Sequence, residues 1–325
     1  MRPTGALIDR WGLVLPAASA LLGVAAIGPA LATSVLGLAL SLAVLGACSG
    51  AMDVAINAEA ADAESHGDPL MNLAHASFSA SVVASSLLVG LMRELAAEPL
   101  LVLGVIGGCL LGVAVLLLGL RGGERVRKPQ VSRPSLLRIP GPLVVLGVLA
   151  AVAFVVENAW QSWSAVQLET TFEAPAGVAA LGPAIFAGAA ALGRSAGHLL
   201  TRRLADRAIL ALGASIGAAG TLLGALAPGR GLAFVGVGIA GLGTSVCAPT
   251  LFSLAGRSAR PENRASAVSA VTTLAYLGFV LGPAAVGLAA EATSLRAALA
   301  GVALLAALLA FASRFAPVPD RVFVK

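Results

Sequence analysis

The sequence predicts an all-α membrane protein of about ten transmembrane helices, on three observations: long apolar runs, scarce charge, and basic residues concentrated in alternate connections. Of its 325 residues, 58% are hydrophobic and 11% charged, against roughly 25% charged in a soluble domain. The mean hydropathy is +0.94. A water-soluble chain of this length keeps a polar face on its surface helices. Long stretches here have no such face, so lipid is the solvent they suit. Membrane β-strands are excluded because they alternate with period two over about ten residues, whereas these runs are longer and apolar all round.

A helix crosses the hydrocarbon layer with about 20 mostly apolar residues, and charged or Pro/Gly-rich breaks delimit ten such stretches. The first, 13–31, follows Arg10 and runs out at Gly28-Pro29, and 34–57 ends before the acidic segment that begins at Glu59. Span 75–95 closes at Arg93-Glu94, and 100–120 lies between Glu98-Pro99 and Arg121. A basic linker, 121–139, then leads to 141–165 and 177–200, which ends before Arg202-Arg203. Spans 208–227, 231–255, 266–290 and 295–314 are separated by Pro228 to Arg230, by Arg257 to Arg264, and by Glu291 to Ser294.

Short cytoplasmic loops retain Lys and Arg. With alternate loops assigned to opposite sides, 18 of the 21 Lys and Arg residues fall on one side, and Arg93, Arg230 and Arg296 on the other. This split predicts cytoplasmic termini, a cytoplasmic 121–139 linker and residence in the cell (plasma or inner) membrane. The net charge of +5 does not indicate nucleic acid, which needs basic residues gathered on one face. Cys48, Cys109 and Cys247 stand far apart inside apolar runs. They match neither a disulfide framework nor a C-x-x-C zinc site, so no metal and no cofactor is expected. The N-terminus has no small-residue cleavage site of a signal peptide and is expected to be membrane core.

Transporter chains are commonly internal repeats. Gly5-Ala6-Leu7-Ile8-Asp9-Arg10 and Gly197-His198-Leu199-Leu200-Thr201-Arg202 share Gly, Leu and Arg at one spacing, 192 residues apart from Gly5 to Gly197. At that offset the span beginning at Gly141 has its counterpart before Met1. About fifty residues are then expected to be missing, enough for two helices of about 20 residues each. Gly5, Leu7, Asp9, Arg10 and Gly12 fit G-x-L-x-D-R-x-G. In this the chain resembles the major facilitator superfamily, whose members carry that signature between their second and third helices. Leu13 and Val14 replace the basic residues that usually follow it, and His198 stands where the second copy often has an acid.

The resemblance implies a two-half helical bundle equivalent to family helices three to twelve, lacking the first two. The N-terminal half would be 1–120 (four helices), the cytoplasmic linker 121–140, and the C-terminal half 141–325 (six helices). Segments Asp53 to Asn57, Leu70 to Phe78, Glu157 to Val166 and Tyr276 to Pro283 resemble a bacterial group related to fucose permease, described as sugar or drug transporters. The charge-free spans 13–31, 100–120 and 208–227 correspond to the family's outer, lipid-facing layer. Asp53, Asn57, Glu157, Asn158, Gln161, Arg194 and Tyr276 fall in spans equivalent to inner helices, where intramembrane polar groups face the bundle interior or a wet cavity.

Two polar stripes are candidate substrate or coupling sites. Ser269, Thr272, Thr273 and Tyr276 follow i, i+3, i+4, i+7 on one helix face, and Tyr276 lies roughly 15 Å from the cytoplasmic edge, near the midplane where transporter sites lie. The competing reading is that the hydroxyls bond their own backbone or a neighbouring helix. Glu157, Trp160, Gln161 and Ser164 form the second stripe, with Asn158 beside Glu157. A desolvated carboxylate there can carry a coupling proton or bind a sugar or cation. Alternatively, Glu157, about 24 Å along its span, reaches periplasmic water while Trp160 and Trp163 belong to an interfacial belt.

The resemblance also implies a cytoplasmic gate at Gly5, Asp9, Arg10, Asp53 and Asn57. Asp9 would cap a helix of the other half, and Arg10 would pair with Asp53 or Glu59. The alternative is a static surface ion pair worth about 0–1 kcal/mol. Arg194 and His198 are expected to anchor a helix end, and His75 an interface. The serines at 77, 81 and 85 and the G-x-x-x-G repeats at 104–108, 108–112, 220–224 and 278–282 are expected to pack helices. Gly213-Ala214-Ser215-Ile216-Gly217 imitates a nucleophile elbow but lies in an apolar span rather than a strand-turn-helix. Neither a metalloprotease nor a P-loop motif is present, so no enzyme is expected.

The function expected is secondary active transport of a small sugar-like or drug-like solute by alternating access, coupled to protons as symport or antiport. The partners are the lipid bilayer, the solute and protons. The alternative is a non-transporting scaffold or an inactive transporter remnant.

Overall fold

A computed structural model describes residues 14–65, 70–120, 139–200, 203–259 and 264–317. Among them every regular element is helical. The helices are α1 (Val14–Ala25), α2 (Val35–Ser65), α3 (Leu70–Glu94), α4 (Pro99–Leu120), α5 (Gly141–Phe172), α6 (Ala176–Ala179), α7 (Leu181–Leu200), α8 (Asp206–Leu226), α9 (Arg230–Thr244), α10 (Cys247–Arg257), α11 (Arg264–Ala292) and α12 (Leu295–Ala312). Eight segments are long and apolar enough to cross a membrane, and a shorter apolar one runs over Leu15–Leu31. With the 25-residue α3, which reaches about 37 Å at 1.5 Å per residue, they account for the ten spans read from the sequence.

Two boundaries and one interior differ from expectation. Helix α2 continues to Ser65 and α5 to Phe172, because neither 58–65 nor 166–172 contains a glycine or proline to break the helix. The stretch 231–255 is broken between α9 and α10 at Ser245-Val246. Pro249, four residues beyond Ser245, has no N–H for that carbonyl and its ring crowds the turn.

The chain divides into two compact units, residues 1–78 with 92–131, and residues 79–91 with 132–325. In the first, α1 packs on α4 and α2. A Cβ on Gly107 would lie 2.5 Å from the Gly23 carbonyl, so both must be glycine for the backbones to approach this closely. Ser19 Oγ donates to the Leu110 carbonyl beside them, at 2.9 Å. The G-x-x-x-G glycines Gly104, Gly108 and Gly112 instead have open space around them. Among the described residues no helix packs on that spacing, and Gly107, outside it, makes the contact with α1.

In the second unit α5 is central, packed against α7, α9, α10, α11 and α12. Helix α8 lies against α9 and α12 and is reached from α5 by the long side chains of Trp160 and Gln167. One apolar core gathers Leu146, Leu251, Leu254 and Val271, and another Trp160, Phe186 and Leu299. The expected packing glycines do serve here: Gly224 sits against Trp160 and the Gly236 backbone, and Gly278 against the Ala151 backbone. Leu192, Leu288 and Leu304 are each more than 60% exposed, as a surface solvated by lipid requires.

Candidate functional site

Helix α5 starts after Pro140 with a second proline in its first turn, where a missing N–H costs nothing. Its apolar first half gives way to Glu157, Asn158, Trp160, Gln161, Ser164 and Gln167. Arg194 of α7 donates from Nη2 to Glu157 Oε1 at 2.5 Å. The Glu157 side chain is 9% exposed and that of Arg194 34%. Two charges inside a membrane helix bundle persist when each compensates the other, which accounts for this pairing. Arg194 is therefore not a helix-end anchor; it reaches inward to the carboxylate. The sequence signal that identifies it is the solitary acid of 141–165 matched by the solitary arginine of 177–200.

The neighbours of Glu157 point elsewhere. Asn158 Nδ2 donates to the Phe279 carbonyl of α11 at 2.6 Å. Pro283 lies four residues beyond Phe279 inside α11 and has no N–H to give that carbonyl. Trp163 Nε1 donates to the Pro283 carbonyl at 3.1 Å, so α5 braces both sides of the proline. Trp160 is fully buried, and its Nε1 donates to Thr221 Oγ1 of α8 at 3.0 Å. Its only polar atom is thus used against the helix behind α5, and it does not sit in an interfacial belt. Gln161 is half-buried. Gln167 Nε2 donates to the Gly224 carbonyl at 3.0 Å, whereas Gln167 Oε1 and Ser164 Oγ are buried with no hydrogen-bond partner among the described residues.

On α11, Tyr276 packs edge-on against Phe154 and Phe279, each at 6.1 Å between centroids, and Phe154 packs against Phe252 at 6.0 Å. Thr273 Oγ1 donates to the Ser269 carbonyl one turn back, the local bonding that competed with a cavity role, and Thr272 is half-buried. Asp53 is half-buried on α2. Gly5, Asp9 and Arg10 lie outside the described residues, as do the side chains of Asn57, His75 and His198.

Charges at helix ends do structural work. Asp206 in the first turn of α8 pairs with Arg257 at 2.8 Å. Arg296 donates to the carbonyls of Ala225, Leu226 and Ala227, which close α8 and have no partner within the helix.

The Major Facilitator Superfamily model matches residues 3–274 and, in an overlapping second match, 197–325. The chain belongs to that superfamily. It is 30% identical over 315 residues to an uncharacterized MFS-type transporter of Yersinia pestis, covering 96% of this chain and 81% of the relative. The structure is similar to a bacterial homolog of the human lysosomal transporter Spinster in an inward-facing, occupied conformation. That likeness has a TM-score of 0.69 and 18% identity, and covers 97% of this chain and 85% of the other. It is also similar to the Escherichia coli fucose:proton symporter FucP, with a TM-score of 0.64 and 19% identity over 98% and 87% of the two chains. At these identities the structural likeness speaks to the superfamily fold alone. The major facilitator chain is thus a multi-pass membrane protein of a transporter family.

Proposed function

We propose that the chain is a secondary transporter moving a small solute by alternating access, with Glu157 as the group that exchanges a coupling proton. The observation that carries this reading is the ion pair of Glu157 with Arg194 inside the bundle. A charged pair at that depth stabilises a membrane protein weakly, if at all, compared with apolar residues of the same size, and intramembrane ionisable residues mark solute and proton paths. FucP, a fucose:proton symporter by name, supports coupling to protons by analogy of fold. The Tyr276, Thr272 and Gln161 positions supply hydroxyl and amide groups for a polar solute.

In this reading residues 1–120 and 141–325 are the two halves of the transporter, and the termini and the 121–140 linker are cytoplasmic, with the chain in the cell (plasma or inner) membrane. Asp9 and Arg10, with Asp53 and Asn57, close the cytoplasmic side, a role supported by the G-x-L-x-D-R-x-G signature.

The test is solute counterflow and proton-gradient-driven flux in proteoliposomes, with and without Glu157→Gln. A coupling carboxylate predicts that the Gln variant loses gradient-driven accumulation while keeping exchange, since exchange needs no net proton movement. Accumulation unchanged by Glu157→Gln removes Glu157 from the proton path. A chain that moves no member of a broad sugar, amine and acid panel is a scaffold or remnant.

A further inference from the structure

Among the described residues of the second unit, the interiors of the membrane-spanning helices hold one acid and one permanent cation, Glu157 and Arg194. The other charged residues of these helices stand at or near helix ends. The pair is neutral as a whole, so a ligand that binds either partner must leave the other compensated.

The two partners differ in one decisive property. Glutamate sheds its charge by taking a proton, whereas a guanidinium stays charged at any accessible pH. An organic cation that captured Glu157 would strand Arg194 as an unpaired charge inside the bilayer. An organic anion that captured Arg194 leaves Glu157, which a proton neutralises. The exposures agree, because Arg194, at 34%, is the partner an incoming ligand meets, and Glu157, at 9%, lies behind it. Arg194 spends one nitrogen on Glu157, and its planar fork suits bidentate binding of a carboxylate.

We infer that Arg194 is the recognition residue for an organic carboxylate, taken together with one proton on Glu157. On binding, the Arg194 to Glu157 hydrogen bond is exchanged for Arg194 to the ligand carboxylate. The proton comes from water, and the net charge of the site is zero before and after. The ligand body is apolar or aromatic: Phe154 lies one turn before Glu157 on α5 and packs with Tyr276 and Phe279 of α11, and Phe279 is 43% exposed.

The groups that face Glu157 from the packed helices are few. Arg194 comes from α7, and α10 contributes the buried Cys247 thiol. Tyr276 of α11 is next to Phe154. Helices α9 and α12 carry their only charged residues, Arg230 and Arg296, in the first turn.

This inference rests on the transporter reading above, and the two can fail separately. The test is binding of benzoate, benzamide and benzylammonium to the purified chain in lipid nanodiscs from pH 5.5 to 8, followed by tryptophan fluorescence. Uptake of one proton predicts that benzoate is preferred and that its apparent Kd rises about tenfold per pH unit. Glu157→Gln should keep benzoate binding and remove the pH dependence. Arg194→Gln should abolish binding, and the Glu157→Gln, Arg194→Gln double variant, which leaves no unpaired charge, guards against a folding defect. Preference for benzylammonium or benzamide, or benzoate binding untouched by Arg194→Gln, overturns the inference. Counterflow of the same probes separates the two readings: exchange of the amine or amide alone keeps transport and sinks the carboxylate. Binding of benzoate without exchange does the reverse.

Discussion

Asn158 on α5 donates to the carbonyl of Phe279 on α11 at 2.6 Å, and that carbonyl is the one Pro283 leaves without a helical partner. The side chain substitutes for a backbone N–H across a helix interface. Asn158, a candidate substrate residue from sequence, thus has its amide N–H engaged in holding a proline-containing helix against its neighbour.

That relationship predicts a thermodynamic coupling. Asn158→Leu should destabilise the protein by about 0.5–1.5 kcal/mol, the range of interhelical hydrogen bonds in membranes. In a Pro283→Ala background the restored N–H serves Phe279 directly, so the same substitution should cost close to nothing. Thermal unfolding of the four proteins in one detergent measures the cycle, and additive effects would show that the bond does not compensate for the proline.

Breaking the charged pair should cost more than removing it. Arg194→Ala leaves a carboxylate buried without its partner, and with the arginine a third exposed the loss is expected at about 1–3 kcal/mol, below that of a fully buried pair. Glu157→Gln combined with Arg194→Gln should recover most of it. A double variant as unstable as Arg194→Ala would mean the two side chains stabilise by packing rather than by charge.

Glycine positions separate motif from contact. Gly107→Leu should destabilise by about 1–3 kcal/mol, as overpacking does, because the Gly23 carbonyl occupies the space of its Cβ. Gly104→Leu and Gly112→Leu, with nothing nearby, should stay within about 0.5 kcal/mol. Equal melting shifts at the three sites would contradict the observed packing of α1 on α4.

Trp160 tests the division between framework and site. Trp160→Phe removes the bond to Thr221 and is expected to lower stability by about 1 kcal/mol while leaving the half-saturation concentration of any transported probe unchanged. A several-fold change in that concentration, with stability intact, would return Trp160 to the site.

Much of the architecture is legible in the sequence. Helix content and ten spans follow from apolar length and the scarcity of charge, and the resemblance to the superfamily implies the inner position of the helix that carries Glu157. The i, i+3, i+4, i+7 stripe Glu157, Trp160, Gln161, Ser164 read as one face. In the structure Glu157 turns to α7 and Trp160 to α8, because a helix surrounded by several neighbours has no single inner side. Arg194 carries two expectations in the sequence, an inner-helix polar group and a helix-end anchor, because a cation near a helix end and a cation reaching inward look alike until the partner helix is in place.

The solvent and the helices are legible in the sequence, since lipid penalises every unpaired polar group where it stands and so leaves its mark residue by residue, while the resemblance to the family rests on Gly5, Leu7, Asp9, Arg10 and Gly12. The partner each polar group takes is set by the packing of the helices. Glu157 and Asn158 are adjacent in sequence yet about 100° apart around α5. One therefore meets a guanidinium on α7 and the other a carbonyl on α11, and that choice is made by how three helices are rotated against one another.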